Sequence, residues 1–441
     1  MISKLRKRFQ HRYNSFFGLL GVAIPTLIVV ISYRLLLDGL GEVGFGVYLL
    51  AASIGSVMAF MDLGISSANI KFIAEDKESG AYDALARVVQ TSACFYCVLG
   101  LLIVIAVAAI SPRLDSIFGI PEEYQSSSFL LFILAAGQVS IYLVNNVYVG
   151  VLKALGRFDL AVIVNISIPL VTMGLGGYLV STGVLGLLGL MWLGVIGSFF
   201  GLLLSVYLAR NLCLGSGCEL LSGRPSIETF KRMYGFSAVL TLHSFAGIFF
   251  AQAQKIFIGH ALGPASVGIY QFAYTALSKI HTLINSGSEF IYPLASSGKC
   301  KLELRAVYLK VLLFTAMTAF VGLLILWWAA DFIFGLWLGA SVASKVVPLI
   351  PSLAVAFFFV ALSIPGHHVL NGLGRPGVNV LYSVVNVLLY LFALYFLSVY
   401  SSNFGLVSYA YAYAISNVIS GTIFQILFEL LFWSKYMSDE P

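Results

Sequence analysis

Twelve apolar runs, each about 20 residues or longer, follow one another along the chain. They lie at roughly 16–37, 45–68, 86–110, 128–150, 160–180, 184–208, 233–258, 268–294, 307–330, 347–370, 378–399 and 404–432. A helix rises about 1.5 Å per residue, so some 20 apolar residues cross a hydrocarbon core about 30 Å thick. Within lipid every backbone N–H and C=O must be satisfied internally, and for runs of this length that form is the α-helix. The charge content agrees: 10% of residues are charged and 60% hydrophobic, whereas a soluble domain covers its surface with roughly 25% charged residues. The expected fold is therefore all-α and integral to a membrane, with about 12 transmembrane helices.

The first run follows Lys4, Arg6, Lys7 and Arg8. A basic start before an apolar segment is also the form of a signal peptide. This segment, however, extends over about 22 residues and lacks a clear small-x-small cleavage site, so an uncleaved first helix is expected. The longest connections, 111–127 and 209–232, are too short to fold independently, and the longest outer loop is the first of these, about 17 residues. Cys94 and Cys97 lie inside an apolar run, where they read as small packing residues rather than as a zinc or redox pair.

Cytoplasmic loops carry an excess of Lys and Arg. With the N-terminus cytoplasmic, one side holds twenty basic residues, from Lys4 and Arg12 through Lys71, Arg87, Lys153, Arg157, Arg210, Arg232, Lys301 and Arg375 to Lys435. The other side holds two, Arg113 and Lys345, together with the acids Asp38, Glu42, Asp115, Glu122, Glu123 and Asp331. This asymmetry supports an even helix count with both termini cytoplasmic. It also accounts for the net charge of +6 by topology, with no nucleic-acid partner.

The chain repeats itself. Leu40-Gly41 with Gly46-Val47-Tyr48 recurs as Leu262-Gly263 with Gly268-Ile269-Tyr270, and Val151-Leu152 with Leu155-Gly156-Arg157 recurs as Val369-Leu370 with Leu373-Gly374-Arg375. Both pairs fall at equivalent loops of the helix map. Six helices per half leave the halves parallel, as in transporters whose two lobes are related by an axis along the membrane normal. The expected division is a six-helix lobe over 1–209, a cytoplasmic linker over 210–232 with Gly215, Ser216 and Gly217, and a second six-helix lobe over 233–441. Such repeats mark transporters with the substrate site between the lobes.

Ionisable groups at membrane depth are costly, so each implies a cavity, a partner or snorkelling to the interface. Arg34, Lys255 and Lys279 are the basic residues within spans, and Asp62 and Glu289 the acids deep enough to matter. On the eighth run, Gln271, Thr275, Ser278, Thr282, Asn285 and Glu289 recur at alternating spacings of four and three. This sets them along one helical face, with Lys279 turned about 80° from it. A polar stripe along a spanning helix lines a cavity or a polar helix contact. The seventh run repeats it more sparsely through Ser237, Thr241, Ser244, Gln252 and Lys255. Lys279 lies near mid-membrane, too deep to snorkel easily. Arg34 and Lys255 lie near the outer ends of their helices, where snorkelling and a paired functional role remain equal readings. Asp62 and Glu289 read either as structural partners of loop cations or as ion-relay carboxylates. His281 and His243 are mid-span and read first as helix-contact histidines, while His367 and His368, beside Pro365-Gly366, are expected at a broken helix end. Pro25 and Pro169 are expected to kink the first and fifth helices. The sequence carries no GxxxxGK(S/T), HExxH or GxSxG pattern, so an internal ATPase or soluble catalytic site is not expected.

Taken in order, these features resemble the Wzx-type polysaccharide flippases, in the superfamily that also holds the MATE multidrug exporters and the lipid II flippases. The matching residues are Leu40-Gly41 with Gly44-Phe45-Gly46-Val47-Tyr48, Asp62-Leu63-Gly64, and the turns Leu155-Gly156-Arg157 and Leu373-Gly374-Arg375. The resemblance runs the whole length. It implies a bacterial inner-membrane flippase for undecaprenyl-diphosphate-linked oligosaccharide, such as an O-antigen repeat unit, working by alternating access and driven by an ion gradient. Arg34, Lys255 and Lys279 would meet the diphosphate in the cavity. Asp62 and Glu289 would couple transport, and Gln252, Gln271, Thr275, Ser278, His281 and Asn285 would line the path. No cofactor is implied beyond H+ or Na+ as the coupling ion; the partners would be the lipid-linked oligosaccharide, membrane lipids, and glycan polymerase or chain-length proteins. A MATE-like drug/ion antiporter shares the architecture, but a cationic cargo calls for an acidic cavity. An O-antigen polymerase or ligase calls for a large periplasmic loop.

Overall fold

The structure is a computed structural model that describes residues 2–58, 65–215, 218–234, 254–296, 301–375, 377–401 and 403–433. Every regular element among the described residues is helical. The chain divides into two compact units, Met1–Ser244 and Phe245–Pro441. The first holds α1 (Ile2–Met58), α2 (Ile65–Glu78), α3 (Tyr82–Phe118), α4 (Glu122–Ala154), α5 (Phe158–Ser181) and α6 (Leu187–Leu214). The second holds α7 (254–262), α8 (Pro264–Ser288), α9 (Ile291–Ser296), α10 (Lys301–Trp328), α11 (Ala330–Leu338), α12 (Ala340–Gly372), α13 (Gly377–Tyr400) and α14 (Leu406–Leu427). Nine helices among the described residues are long and apolar enough to cross a membrane. The expected runs at 45–68 and 233–258 fall partly outside the described residues. The run at 268–294 is α8, 25 residues long, whose polar stripe lowers its hydropathy and not its reach.

The two repeated sequence motifs adopt repeated geometry. Gly156 (φ 80°) and Gly374 (φ 70°) both occupy the left-handed region. At the first turn, Gly156 N–H donates to Lys153 C=O and Arg157 N–H to Leu152 C=O, each at 2.9 Å. At the second, Gly374 N–H donates to Asn371 C=O at 3.1 Å and Arg375 N–H to Leu370 C=O at 2.8 Å. This is the paired hydrogen-bond closure of a Schellman C-cap, which takes up helix-end carbonyls that would otherwise lack partners. Gly41 (φ 68°) and Gly263 (φ 80°) form the other equivalent pair, and Gly41 is the residue that breaks α1.

Connections are shorter than the hydropathy pattern suggests. The expected 17-residue outer loop does not exist: α3 continues through Pro112 to Phe118, and α4 begins at Glu122. The extension stays helical because it keeps an inward face, with Ser111, Leu114 and Phe118 buried. The expected helix end at His367 and His368 is also corrected. Both lie inside α12, which runs through Pro365 to Gly372. Tight packing on α14 supports it there, since a Cβ on Gly366 would come within 2.8 Å of the Phe424 ring. Pro25 sits within α1, whose break is at Gly41 instead, while Pro169 leads directly into a π-turn, Leu170–Leu175. In the first unit glycines bring helices into contact. A side chain on Gly39 would collide with the Val180 carbonyl, and one on Gly197 would press on Thr172. Small residues serve this purpose in lipid, where van der Waals packing rather than the hydrophobic effect joins helices.

The connection expected as the inter-lobe linker belongs to the first unit and is folded against it. Gln90 Nε2 donates to Leu220 C=O at 3.1 Å, Ser226 N–H donates to Thr91 Oγ1 at 3.1 Å, and Gly223 lies flat on the Ala86 backbone. Phe230 packs on Phe95 with centroids 5.2 Å apart. Arg232 closes the arrangement: it lies 3.4 Å from Glu75 and 3.9 Å from Asp76, with its guanidinium 4.2 Å from the centre of the Phe72 ring. Burial pushes the Asp76 carboxyl above its ordinary value and Arg232 draws it down, the first effect prevailing. Cys218 is buried in the same segment, its Sγ 3.7 Å from the Tyr82 carbonyl, and burial raises its thiol pKa.

Two expectations follow. Gly156→Ala and Gly374→Ala each introduce a Cβ at a left-handed position and should cost about 1–2 kcal/mol, lowering the thermal unfolding midpoint in detergent. Gly137→Ala, in open space inside α4, should leave it unchanged or raise it. Arg232→Ala should speed maleimide labelling of Cys218, measured by mass spectrometry; unchanged labelling would show that Arg232 does not hold the segment down.

Candidate functional site

The polar stripe of α8 divides at its midpoint. Through its first half the helix is enclosed by its neighbours, with Val267 to Ala273, Thr275 and Leu277 buried; beyond Ser278 only Ile284 and Ser288 are buried. The expected stripe is thus two different surfaces. In the upper half Gln271 Nε2 donates to Thr275 Oγ1 at 2.8 Å. Ser278 donates to the Thr275 carbonyl at 3.0 Å and Thr282 to the Ser278 carbonyl at 2.9 Å, the usual satisfaction of a hydroxyl within its own helix. In the lower half Asn285 Nδ2 lies 3.4 Å from Glu289 Oε1, and Glu289 is exposed at the helix end. His281 meets Phe357 edge-on with centroids 6.2 Å apart, in keeping with a helix-contact histidine.

The upper half joins a buried polar core absent from the sequence expectation. Tyr270 Oη donates to Gln254 Oε1 at 2.7 Å, tying α7 to α8. Tyr270 stacks on Tyr274 at 6.2 Å, and Tyr274 contacts both Phe357 (5.3 Å) and Tyr413 (6.2 Å). Asn417 Nδ2 donates to the Tyr413 carbonyl, and Asn386 Nδ2 to Asn417 Oδ1, both at 2.8 Å. Gln254 Nε2, Gln271 Oε1 and Asn386 Oδ1 are buried without a hydrogen-bond partner. The signal was present: Asn386 and Tyr390, like Tyr413 and Asn417, stand four residues apart within apolar runs and so share a face. What the sequence could not show is that these faces meet.

The three expected cations differ in their partners. Arg34 Nε donates to Asp38 Oδ2 at 2.8 Å, so its charge is met by an acid one turn away. Lys255 and Lys279 are partly buried in the second unit, and among the described residues neither has a carboxylate partner. Lys279 is half-buried on α8, between the buried Thr275 one turn before it and Leu283 (69% exposed) one turn after it. Asp62, Gln252 and His243 lie outside the described residues. Among the described residues no cluster of three or more His, Cys, Asp or Glu could hold a metal.

With Gln254 as acceptor, Tyr270→Phe removes a buried donor and leaves an amide wholly unpaired, which should cost about 1–3 kcal/mol. Adding Gln254→Leu should recover part of that loss. Equal destabilisation by the double variant and the sum of the singles would remove the inferred coupling.

Comparison with known proteins places these features. A family model described as "Polysaccharide biosynthesis protein" matches residues 13–299. The chain is 23% identical over 390 residues to a Shigella flexneri protein described as "Putative O-antigen transporter", covering 87% of this chain and 90% of that one. Among solved structures it is similar to a multidrug resistance MATE family transporter of the MOP superfamily in an inward-facing conformation. That match has a TM-score of 0.79 at 15% identity and covers 96% of this chain and 99% of that one. It is also similar to the lipid II flippase MurJ in an inward closed conformation, with a TM-score of 0.72 at 10% identity, covering 94% of this chain and 87% of that one. The fold is accordingly MATE-like.

Proposed function

We propose that this chain, which belongs to the polysaccharide biosynthesis protein family, is a flippase that carries undecaprenyl-diphosphate-linked oligosaccharide from the cytoplasmic to the periplasmic leaflet by alternating access. At the coarser level the chain is a multi-pass inner-membrane transporter of polysaccharide biosynthesis, and not an enzyme. The observation that carries the finer reading is Lys279, a partly buried cation midway along α8 with no acid beside it among the described residues. An unbalanced cation at membrane depth is costly, and a diphosphate crossing the same depth requires counter-charge. Each offsets the cost of the other. Lys255, toward the outer end of its run and also without a carboxylate partner among the described residues, would meet the anion later in its passage. Arg34 is the weaker candidate, since Asp38 already occupies its guanidinium. A cationic drug would find no complement at Lys279.

Glu289 and Asp62 are the proposed groups that link transport to a proton or sodium gradient. Glu289 is suited to this by its exposure and by a single long hydrogen bond, which leaves most of its acceptor capacity open to a proton or ion. Glycan polymerase and chain-length proteins are proposed as the partners that receive the product.

Loss of a hydrogen bond to a charged group costs about 1.5–3 kcal/mol, so Lys279→Ala should weaken diphosphate-lipid binding about tenfold or more. Lys279→Arg should retain part of it. The measurement is export of lipid-linked glycan in cells lacking the wild-type protein, at matched protein level. Unchanged export by Lys279→Ala would end the assignment of this residue. Uptake into vesicles that does not respond to an imposed proton or sodium gradient would likewise end the coupling role.

A further inference from the structure

A cavity of about 300 Å³ opens beside the end of α6 that the Lys and Arg distribution assigns to the cytoplasmic side. It lies wholly within the first unit. Arg210 and Leu214 of α6 line it together with Glu219, Leu220, Leu221 and Ser222 of the segment that follows. A guanidinium and a carboxylate thus border the same small space, yet among the described residues neither Arg210 nor Glu219 forms an ion pair. Opposite charges that line one cavity without closing on each other leave room for a molecule that carries both signs.

The wall that carries Glu219 is held in place. Ser222 donates to the Glu219 carbonyl twice, through its N–H at 3.1 Å and its Oγ at 2.7 Å, which closes 219–222 into a turn. Leu220 is buried, and its C=O accepts from Gln90 Nε2 of α3 at 3.1 Å. Just before the turn, Cys218 N–H donates to the Cys213 carbonyl of α6 at 3.0 Å. The backbones that bear the two charges are therefore fixed relative to each other. The other wall continues along the spanning helix. Leu203, Tyr207, Arg210 and Leu214 recur at spacings of four, three and four and so share one face of α6. All four are exposed, Leu203 by 50%, Tyr207 by 62% and Leu214 by 47%. α6 is long and apolar enough to cross the membrane, and a tyrosine beside a basic helix end is the usual anchor at the interface with water.

We propose that this cavity binds the head of a zwitterionic phospholipid of the cytoplasmic leaflet, one with a phosphoethanolamine head group. The Arg210 guanidinium takes the phosphate, for which its planar fork of donors is suited. The Glu219 carboxylate takes the ammonium, and an acyl chain follows Tyr207 and Leu203 along α6 into the bilayer. A head with negative charge alone would set its anion in the same small space as Glu219, and like charges brought together cost affinity. A soluble zwitterion would leave the exposed apolar face of α6 unused. Fixed walls lower the ordering cost of binding. The site goes beyond the transport reading, since it is built from one helix end and the turn after it and involves no cargo.

The test uses the full-length protein in vesicles of equal parts phosphatidylethanolamine and phosphatidylglycerol. Each preparation carries a trace of one of these lipids with a diazirine in its acyl chain, and crosslinked peptides are identified by mass spectrometry. On 203–214 the ethanolamine probe should be captured severalfold more than the glycerol probe. Glu219→Gln should bring that ratio to about one, and Arg210→Gln should lower capture of the ethanolamine probe severalfold. Both positions are exposed, and an unchanged thermal unfolding midpoint in detergent checks that each variant is folded. Equal capture of the two probes by the wild type would overturn the proposal without reference to any variant, leaving an ordinary lipid contact. A ratio unchanged by Glu219→Gln would overturn it as well. Soluble phosphoethanolamine should not displace the lipid probe; displacement as effective as that by unlabelled phosphatidylethanolamine would give the cavity to a soluble ligand and end the lipid assignment.

Discussion

Hydrocarbon offers no partner to a polar group, and most features of this chain are ways of meeting that condition. Backbone groups are met by long helices. The ends of those helices, where carbonyls would be left over, are closed by left-handed glycines at Gly156 and Gly374 with the same pair of hydrogen bonds. Close approach of helices is obtained by leaving out side chains, as at Gly39 against Val180, because lipid supplies no hydrophobic pressure of its own. The same condition makes each remaining exception informative.

Those exceptions are concentrated in the second unit. Uncharged groups form a core in which Tyr270 binds Gln254 and Asn386 binds Asn417, each pair joining two helices. Lys255 and Lys279, in contrast, are left without an acid among the described residues. Polar amides and phenols can be paired within the protein, so they hold helices together at little electrostatic cost. An ammonium at membrane depth calls instead for a carboxylate, a path to the interface or an anion from outside. The first unit differs at Arg34, where Asp38 supplies the partner within one turn.

Much of the architecture was legible beforehand because hydropathy and repeat spacing are local properties. The apolar runs mark the helices, and the two Leu-Gly-Arg turns, seen only as short matches, prove to share dihedral region and hydrogen bonding. The failures have a common cause. The run 111–127 reads as a loop because it is polar on one side, yet Leu114 and Phe118 keep it helical by packing inward. Pro365-Gly366 reads as a break, yet the contact with Phe424 maintains α12 across it. Local composition overstated both interruptions, since it could not register what each segment would touch.

The sequence by itself determined that this is a helical membrane protein and where its repeated Leu-Gly-Arg turns lie. Each follows from the length, order and polarity of residues along one dimension. Only the tertiary structure decided how these residues are used: Gln271 and Thr275 turned into a packed core, Lys279 half-buried beside it, Arg34 paired with Asp38, and the segment 218–234 folded onto α2 and α3. A helical periodicity assigns a residue to a face, but the neighbour on that face is contributed by a distant part of the chain. Whether a polar group is paired, buried or free for a ligand depends on that neighbour.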